Sequence, residues 1–286
     1  MKKLYLLIIL ALSPFACATG EQGNSTYKPE TQLRLATNSG NYTEVASIIT
    51  KNNQLLENEQ LVFDIFRKSI YKENYQIVDF IITKIKNLNY LSENGRTYIM
   101  ASSLQKNTTK YLEYFLTNSN LIDHKTNDGS TAFSIAAAVY NISAMKLLIK
   151  NGAKDLDSHA TSTAVPLNVA VAHQDVELVE MMLEHGADPN HQYEVFYKEF
   201  PLQIAIEKNN PDIIKLLLKY KADPNKLTCY GETPLYLAQQ GYVYNEKDLD
   251  SEQKEIVGLL KSYKAELPKT KPRNRATSGS SRRPGC

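Results

Sequence analysis

Residues 165–190 decide the fold, because they contain one complete unit of a pattern that recurs along the chain. The stretch begins Val165-Pro-Leu-Asn-Val-Ala170, continues through Asp175, Val179 and Leu183, and ends His185-Gly186-Ala187-Asp188-Pro189-Asn190. The three single residues stand 5, 9 and 13 positions after Ala170. A side chain such as Asp175 can accept a hydrogen bond from an unpaired N–H group at a helix start. The unit therefore predicts a short helix, a capped turn and a second, amphipathic helix.

The same offsets recur along most of the chain. The unit anchored at Ala136 places Asn141, Met145 and Ile149 at these offsets, and the unit anchored at Ala205 places Asn210, Ile214 and Leu218 there. The seven anchors are Ala36, Ser69, Ala101, Ala136, Ala170, Ala205 and Ala238, at spacings of 33, 32, 35, 34, 35 and 33 residues. Seven units with a period near 33 predict a solenoid, in which each helix pair packs only on its neighbours.

The pattern resembles the ankyrin repeat family. The resemblance is strong over 127–240 and weaker, but in phase, over 31–126. The residues that match are Asp128-Gly129-Ser130-Thr131, Gly152-Ala153, His185-Gly186-Ala187-Asp188-Pro189-Asn190, Ala222-Asp223-Pro224-Asn225 and Thr233-Pro234-Leu235. The resemblance implies an all-α solenoid of about seven helix-pair units with short hairpin finger loops. It also implies a non-catalytic module that binds a partner protein.

Several positions depart from the family pattern. The family motif Thr-Pro-Leu-His has lost its histidine, and the corresponding residues are Ser134, Asn168, Gln203 and Tyr236. Lys221 replaces the glycine that follows the second helix of its unit. The first three units lack both this glycine and the Thr-Pro-Leu element. We therefore expect those units to be helix pairs with poorly formed fingers.

The predicted organisation has four segments. They are a signal peptide at 1–18, a flexible tether at 19–30, a repeat domain at 31–265 and a disordered basic tail at 266–286. Within the repeat domain the predicted units are approximately 31–60, 61–93, 94–127, 128–161, 162–196, 197–230 and 231–265. An insertion at 242–252 separates the two helices of the last unit, and its role stays open.

The N-terminus is typical of an export signal. Lys2 and Lys3 precede an apolar run over residues 4–12, which is too short to span a bilayer. Two processing routes stay open, since the chain could be cleaved after Ala18 or lipidated at Cys17 as a bacterial lipoprotein is. We therefore expect an exported protein that is periplasmic, anchored to a membrane through Cys17, or secreted.

The distribution of charge argues against nucleic acid as a partner. Residues 1–18 carry +2 and residues 266–286 carry +5, so the total of +2 leaves −5 for residues 19–265. An acidic body lacks the basic surface that nucleic-acid binding requires. The tail is the one strongly basic segment, and we favour a solubilising role for it.

No catalytic motif is present. The sequence contains no Gly-rich phosphate loop, no Gly-x-Ser-x-Gly and no His-Glu-x-x-His, so we expect neither an enzyme nor a cofactor. The alternative is a metal-binding or enzymatic protein that uses the histidine-rich region 159–191. The repeat pattern already accounts for His185, Asp188 and His191, so we favour the binding module. Cys229 and Cys286 could pair in an oxidising compartment, although we expect unpaired thiols.

A partner protein is expected to contact the finger loops and the concave face of the stack. Aromatic residues in polar finger loops are typical of binding patches, and residues at the end of each first helix flank the same groove. The candidate binding residues are His124, Asn127, Tyr140, His159, Gln174, His191, Tyr193, Phe196, Tyr197, Asn209 and Tyr230. We expect a monomer, and the identity of its partner does not follow from the fold.

Overall fold

The computed structural model describes residues 27–157, 165–191, 199–240 and 251–272. These residues form seven helix pairs and contain no β-strand. The first helices are α1 (Pro29–Ser39), α3 (Glu59–Tyr71), α5 (Tyr98–Ser102), α7 (Ala132–Ala138), α9 (Pro166–Ala172), α11 (Pro201–Glu207) and α13 (Pro234–Gln240). The second helices are α2 (Tyr42–Lys51), α4 (Tyr75–Ile82), α6 (Thr109–Asn118), α8 (Ile142–Lys150), α10 (Val176–Glu184), α12 (Pro211–Lys219) and α14 (Ser251–Ser262). The prediction of seven helix-pair units is confirmed.

Five second helices start at the predicted cap residue. In each, the side-chain oxygen of the cap accepts a hydrogen bond from the backbone N–H three residues later, which satisfies an N–H group that the helix leaves unpaired. The caps are Asn41, Asn74, Asn141, Asp175 and Asn210, with N···O distances of 3.2, 3.4, 3.2, 3.0 and 3.1 Å. The second helix of the third unit differs, because Thr108 precedes it and does not cap it.

The helices stack in two layers. Each first helix packs on the first helices of the adjacent units, and each second helix packs on the first helix of its own unit and on at least one adjacent second helix. All seven predicted anchors, from Ala36 to Ala238, are buried between these layers. A small residue is needed at the anchor because neighbouring helix backbones approach each other closely there. The pattern of anchors is therefore explained by packing.

One hydrophobic core runs the length of the described chain, from Leu33 to Ala265. It is richest in aromatic rings between the second and third units. Phe66 contacts Tyr98 and Phe115 with centroid distances of 5.2 and 5.3 Å, and Tyr98 stacks on Phe115 at 5.0 Å. Edge-to-face and stacked rings at these distances add to the stabilisation from burial alone. This cluster holds together the two units that match the repeat pattern least well.

The expectation of poorly formed fingers is wrong for the third unit. Residues 92–96, 126–130 and 228–232 form hairpin turns of the same shape, closed by hydrogen bonds from Ser92 N to Arg96 O, Thr126 N to Ser130 O and Thr228 N to Glu232 O, of 3.0, 2.9 and 2.9 Å. A glycine with positive φ makes each turn possible. These glycines are Gly95, Gly129 and Gly231, with φ of 72°, 80° and 79°. Between the first two pairs, a short 3₁₀ helix over Asn53–Glu57 replaces the finger.

Asparagine and aspartate side chains connect consecutive units along the finger side of the stack. In each connection a side-chain oxygen accepts a hydrogen bond from the backbone N–H of a residue in the next unit. The pairs are Asn89 with Asn120 at 3.3 Å, Asp123 with Lys154 at 3.0 Å, Asp157 with Asp188 at 3.1 Å, Asn190 with Asp223 at 2.7 Å, and Asn225 with Glu266 at 2.7 Å. We call these five residues the inter-unit ladder.

The residues that replace the family histidine form different local bonds. Ser134 and Thr131 bond each other reciprocally, as a capping box does. Asn168 instead donates to the carbonyl of Glu199 at 3.0 Å, and Gln203 donates to the carboxylate of Glu207 at 3.1 Å. The prediction that Lys221 stands in a glycine position is consistent with its φ of 70°.

Several predicted features lie outside the described residues. They are the signal peptide, Cys17, most of the tether, nearly all of the insertion and most of the basic tail. Cys229 is one of the described residues and is disulfide-bonded. The other two cysteines of the chain, Cys17 and Cys286, lie outside the described residues. The expectation of an unpaired thiol at Cys229 is therefore wrong. No helix in the described part of the chain is both long and apolar enough to cross a membrane.

Candidate interaction surface

The stacked first helices leave one side uncovered, which we call the first-helix face. Its side chains are exposed or half-buried, whereas the opposite sides of the same helices lie in the core. Examples from α3 to α11 are Asp64, Arg67, Leu104, Ile135, Ala172 and Glu207. Each finger precedes a first helix and each interhelical turn follows it, so fingers and turns form two opposite rims of this face. A seven-residue helix such as α7 separates the rims by about 10 Å.

Asn127 and Tyr230 lie on the finger rim. Asn127 is exposed, and its backbone N–H and side-chain amide donate to the carbonyls of Asn94 and Glu93 in the preceding finger, both at 3.3 Å. Tyr230 is half-buried, and its backbone N–H donates to the hydroxyl of Thr228 at 3.2 Å. The described fingers, 92–96, 126–130 and 228–232, are thus held by hydrogen bonds within each turn, and the finger 126–130 is also bonded to the finger before it.

Tyr140, Gln174 and Asn209 lie on the opposite rim, each immediately before a capping residue. All three have left-handed backbones, with φ of 56°, 56° and 53°. A residue with a Cβ atom adopts the left-handed conformation only at a cost in free energy. The turn between the two helices requires that conformation here. Tyr140 contacts the ring of His173 at a centroid distance of 5.3 Å. The amide of Asn209 donates to the carboxylate of Glu252 at 2.6 Å.

The turn residues therefore also connect units. Gln174 accepts a hydrogen bond from the side-chain amide of Asn210 at 3.4 Å, so each of the three predicted turn residues contacts the unit that follows it. Gln174 is exposed, while Tyr140 and Asn209 are half-buried. Part of each side chain faces solvent beside the first-helix face, where a partner would reach it.

His124 and His191 occupy equivalent positions at the base of fingers, after the turn that follows a second helix. Both are half-buried, and the backbone N–H of His191 donates to the carbonyl of Asp188 at 3.1 Å. More residues separate each of these histidines from the following first helix than separate the fingertip from that helix. The remaining predicted binding residues lie outside the described residues: His159, Tyr193, Phe196 and Tyr197.

The histidines of the alternative metal-binding hypothesis have other partners. Nδ1 of His185 lies 2.7 Å from the carbonyl oxygen of Met181 in its own helix. The carboxylate of Asp188 accepts the backbone N–H of Asn190 at 2.8 Å, which closes a local turn. Burial raises the pKa of Asp157, opposed by the hydrogen bond from the backbone of Asp188 and by the nearby His191. Across the described residues, no three side chains of metal-binding type are grouped to hold an ion.

Sequence reasoning missed two arginines on the first-helix face. Arg67 of α3 and Arg96, next to the finger 92–96, line one shallow cleft with Phe63, Met100, Leu104 and Ile135. Burial lowers the pKa of the Arg67 guanidinium, and repulsion from Arg96 lowers it further, while Asp64 opposes both effects. The repeat pattern gave no signal for this pair, because the two residues belong to different units and meet only in the stack.

Comparison with known proteins identifies the architecture. A family model described as ankyrin repeats (3 copies) matches residues 112–193 and 167–267, which together span 112–267, or 156 of the 286 residues. The chain is also 24% identical over 122 residues to an ankyrin repeat protein of Acanthamoeba polyphaga mimivirus. That alignment covers 43% of this chain and 16% of the viral protein, so the two proteins differ greatly in length.

Two solved structures share the fold. An ankyrin repeat domain from Acinetobacter baumannii superposes with a TM-score of 0.54 at 22% identity, covering 70% of this chain and 98% of that domain. The ankyrin repeat domain of Bcl-3, a member of the IκB protein family, also superposes with a TM-score of 0.54, at 19% identity, covering 83% of this chain and all of that domain. With a family model that matches more than half of the sequence and a stack of seven helix pairs, this chain belongs to the ankyrin repeat family.

Proposed function

We propose that this chain is an exported interaction protein that binds a partner protein across its first-helix face. The observation that carries the proposal is the arrangement of two rigid rims on either side of one continuous face. The described fingers on one rim are held by hydrogen bonds within each turn and, at Asn127, to the preceding finger, and the turns on the other rim are held by contacts between units. A preorganised surface of this kind binds without first ordering its loops, which lowers the entropic cost of association.

The fingertips and turns supply the residue types that such an interface uses. Tyr230 and Tyr140 offer apolar area with a hydroxyl and few rotatable bonds, and Gln174, Asn209 and Asn127 offer adaptable amides. Family membership supports a protein partner in general terms, since ankyrin repeats are interaction modules. Tyr193, Phe196 and Tyr197 extend the proposal to the finger between the fifth and sixth units.

Affinity purification from the native organism, followed by mass spectrometry, tests this proposal. The wild-type chain is compared with the variant Tyr193→Ala/Tyr197→Ala/Tyr230→Ala, which removes three aromatic side chains from the fingers. The matched control is Lys150→Ala/Glu184→Ala/Lys215→Ala, which alters exposed positions on three second helices. We expect the finger variant to lose the partner and the control to retain it, with circular dichroism showing that both fold. Equal recovery by all three proteins would contradict the proposed interface.

Export is a separate part of the proposal and rests on the apolar run over residues 4–12 after Lys2 and Lys3. The mass of the mature protein, isolated from native cell fractions, distinguishes the routes. A chain that begins at Thr19 indicates simple cleavage, and a chain that begins at acylated Cys17 indicates a membrane-anchored lipoprotein. A chain that retains its first eighteen residues in the cytoplasm contradicts export.

A further inference from the structure

Two arginines on the first-helix face carry charges that the described structure does not neutralise. The guanidinium groups of Arg67 and Arg96 have no hydrogen bond or ion pair with any described residue. Both residues are half-buried, and they lie near enough to repel each other. Like charges brought together away from bulk water destabilise the folded state. Attraction to the carboxylate of Asp64 opposes this repulsion at Arg67, but no hydrogen bond or ion pair joins Asp64 and Arg67.

The carboxylate nearest to Arg67 is already engaged. One oxygen of Asp64 accepts a hydrogen bond from Arg34 of the first unit at 2.9 Å, and the other accepts one from the amide of Gln60 at 2.9 Å. Gln60 in turn accepts the hydroxyl of Tyr90 at 2.8 Å. This network holds Asp64 away from a direct bond with Arg67. Arg67 and Arg96 thus both line the cleft without a hydrogen-bond partner among the described residues.

Two lysines extend the positive charge. Burial lowers the pKa of Lys68, and repulsion from Lys72 and Arg67 adds to that effect. We call Arg67, Lys68, Lys72 and Arg96 the basic cluster. Cations at the C-terminal end of α3 are favoured by the helix macrodipole, which accounts for the two lysines. The macrodipole does not account for Arg96, which lies just before the N-terminal end of α5, where a cation is disfavoured.

The cleft beside the arginines is apolar. Phe63, Met100, Leu104 and Ile135 line it together with Arg67 and Arg96. Guanidinium groups bind carboxylates through paired, charge-assisted hydrogen bonds, and the apolar wall excludes water and so strengthens those bonds. Phe63 and Met100 are themselves buried, so the cleft is closed beneath the arginines, and a ligand would meet it through an anionic group. The basic cluster is also unusual for this molecule, because residues 19–265 have a net charge of −5.

We propose that the basic cluster binds an acidic segment of the partner protein, with an Asp or Glu carboxylate held by the guanidinium groups of Arg67 and Arg96. This inference rests on the proposed function and specifies the chemistry of the partner. It also places part of the recognition surface in the second to fourth units. The candidate binding residues predicted from the sequence, from His124 to Tyr230, all lie after the basic cluster along the chain.

Binding of a defined peptide to the full-length chain tests the inference. The probe is a fluorescently labelled peptide of glutamates with one central leucine, and the control peptide has glutamine at every glutamate position. Fluorescence anisotropy measures the affinity of both at low and at physiological salt. We expect the wild type to bind the glutamate peptide and not the glutamine peptide. Absence of binding to the glutamate peptide would overturn the inference.

The variant Arg67→Gln/Arg96→Gln should bind the glutamate peptide about tenfold more weakly or worse, because it loses charge-assisted hydrogen bonds. The matched control Lys150→Gln/Lys215→Gln removes the same charge from exposed positions on second helices, and it should bind within about twofold of the wild type. Equal weakening in both variants would show attraction to net charge alone and would overturn the assigned site. A phosphoserine peptide that binds more tightly than the glutamate peptide would overturn the carboxylate assignment.

A stability measurement gives an independent readout. Because Arg67 and Arg96 repel each other, Arg96→Gln should raise the denaturant midpoint or leave it unchanged. A lower midpoint would mean that Arg96 stabilises the fold, contrary to the inference. In the affinity purification described above, a partner retained by Arg67→Gln/Arg96→Gln but lost by the finger variant would refute the acidic-segment site while leaving the proposed function intact.

Discussion

Asn141 shows how one residue can define both a helix start and a junction between units. Its side-chain oxygen caps α8, while its amide nitrogen donates to the carbonyls of Ser103 and Gln105 in the preceding unit at 3.1 and 2.8 Å. The side chain is buried, with 2% of its surface exposed. Loss of this side chain would therefore leave the N–H of Ala144 and the carbonyl of Ser103 without these partners, while the carbonyl of Gln105 would keep the hydroxyl of Thr108.

We predict that Asn141→Ala lowers the free energy of unfolding by about 2–3 kcal/mol, since it removes a cap and leaves the carbonyl of the buried Ser103 unpaired. The matched control is Asn41→Ala, which removes an equivalent cap from the exposed first unit and should cost about 1 kcal/mol or less. Urea unfolding monitored by circular dichroism measures both. Equal effects at the two positions would show that the inter-unit bonds of Asn141 contribute nothing.

At the residue scale, the sequence alone predicted those features that depend only on residues close together in the chain. The caps from Asn41 to Asn210 were predicted because a cap needs only its own side chain and the next three residues. The environment of Arg67 was not predictable in this way. Its exposure, its distance from Arg96 and the engagement of Asp64 by Arg34 all depend on how three units pack together.

Among the elements of the fold, the fingers are where the prediction and the structure differ most. Residues 92–96 read Ser-Glu-Asn-Gly-Arg, and they form the same hairpin as Thr-Asn-Asp-Gly-Ser at 126–130. The two glycines are 34 residues apart, in phase with the repeat, and Thr97 caps α5 as Thr131 caps α7. An Asn-Gly or Asp-Gly pair at the repeat spacing was therefore the signal for this finger. The Thr-Pro-Leu element does not mark this finger, because the proline and leucine are absent there.

The two finger glycines provide a matched pair for a test of finger packing. Both have positive φ, but a Cβ atom on Gly95 would lie 3.2 Å from Cα of Thr126 in the next finger, whereas one on Gly129 would meet nothing within 4 Å. We predict that Gly129→Ala costs about 1 kcal/mol from backbone strain alone, and that Gly95→Ala costs at least about 1 kcal/mol more. Thermal or urea unfolding compares them. A Gly95→Ala variant no less stable than Gly129→Ala would mean that the adjacent fingers are not closely packed.

In the whole molecule, stability should be local even though the core is continuous. Helices contact the paired helix and the adjacent units, so a defect is transmitted through nearest neighbours. The aromatic cluster around Phe66 spans the second and third units, and two units separate it from the aliphatic core around Leu217 in the sixth. Loosening of one region should therefore leave the other largely protected.

We predict that Phe66→Ala, which costs about 3–5 kcal/mol of packing, increases hydrogen exchange in residues 59–118 while exchange in residues 199–240 changes little. The reciprocal control is Leu217→Ala, which should increase exchange in 199–240 and spare 59–118. Hydrogen exchange measured by mass spectrometry resolves both regions. A uniform increase along the chain in either variant would show that the stack unfolds as one cooperative unit.

The architecture of the whole molecule was predictable because it is periodic. Seven anchors with a spacing near 33 determined the number of helix pairs, and each anchor is buried as predicted. The residues that would recognise a partner were less predictable, because the repeat period does not determine which amino acids occupy the surface positions. Tyr140 and Asn209 were found by their place in the unit, while the basic cluster required the second and third units to be in contact.

The inter-unit ladder has a direction, and this direction has a consequence for how the chain can change over evolutionary time. Each of Asn89, Asp123, Asp157, Asn190 and Asn225 accepts a hydrogen bond from the unit that follows, so each of the third to sixth units contributes one connection forward and receives one from behind. A duplicated internal unit would arrive with both halves of that connection already in place. Tandem duplication or loss of a whole internal repeat therefore keeps the remaining junctions complete. The length of the binding surface can then change while the other units fold and pack as before.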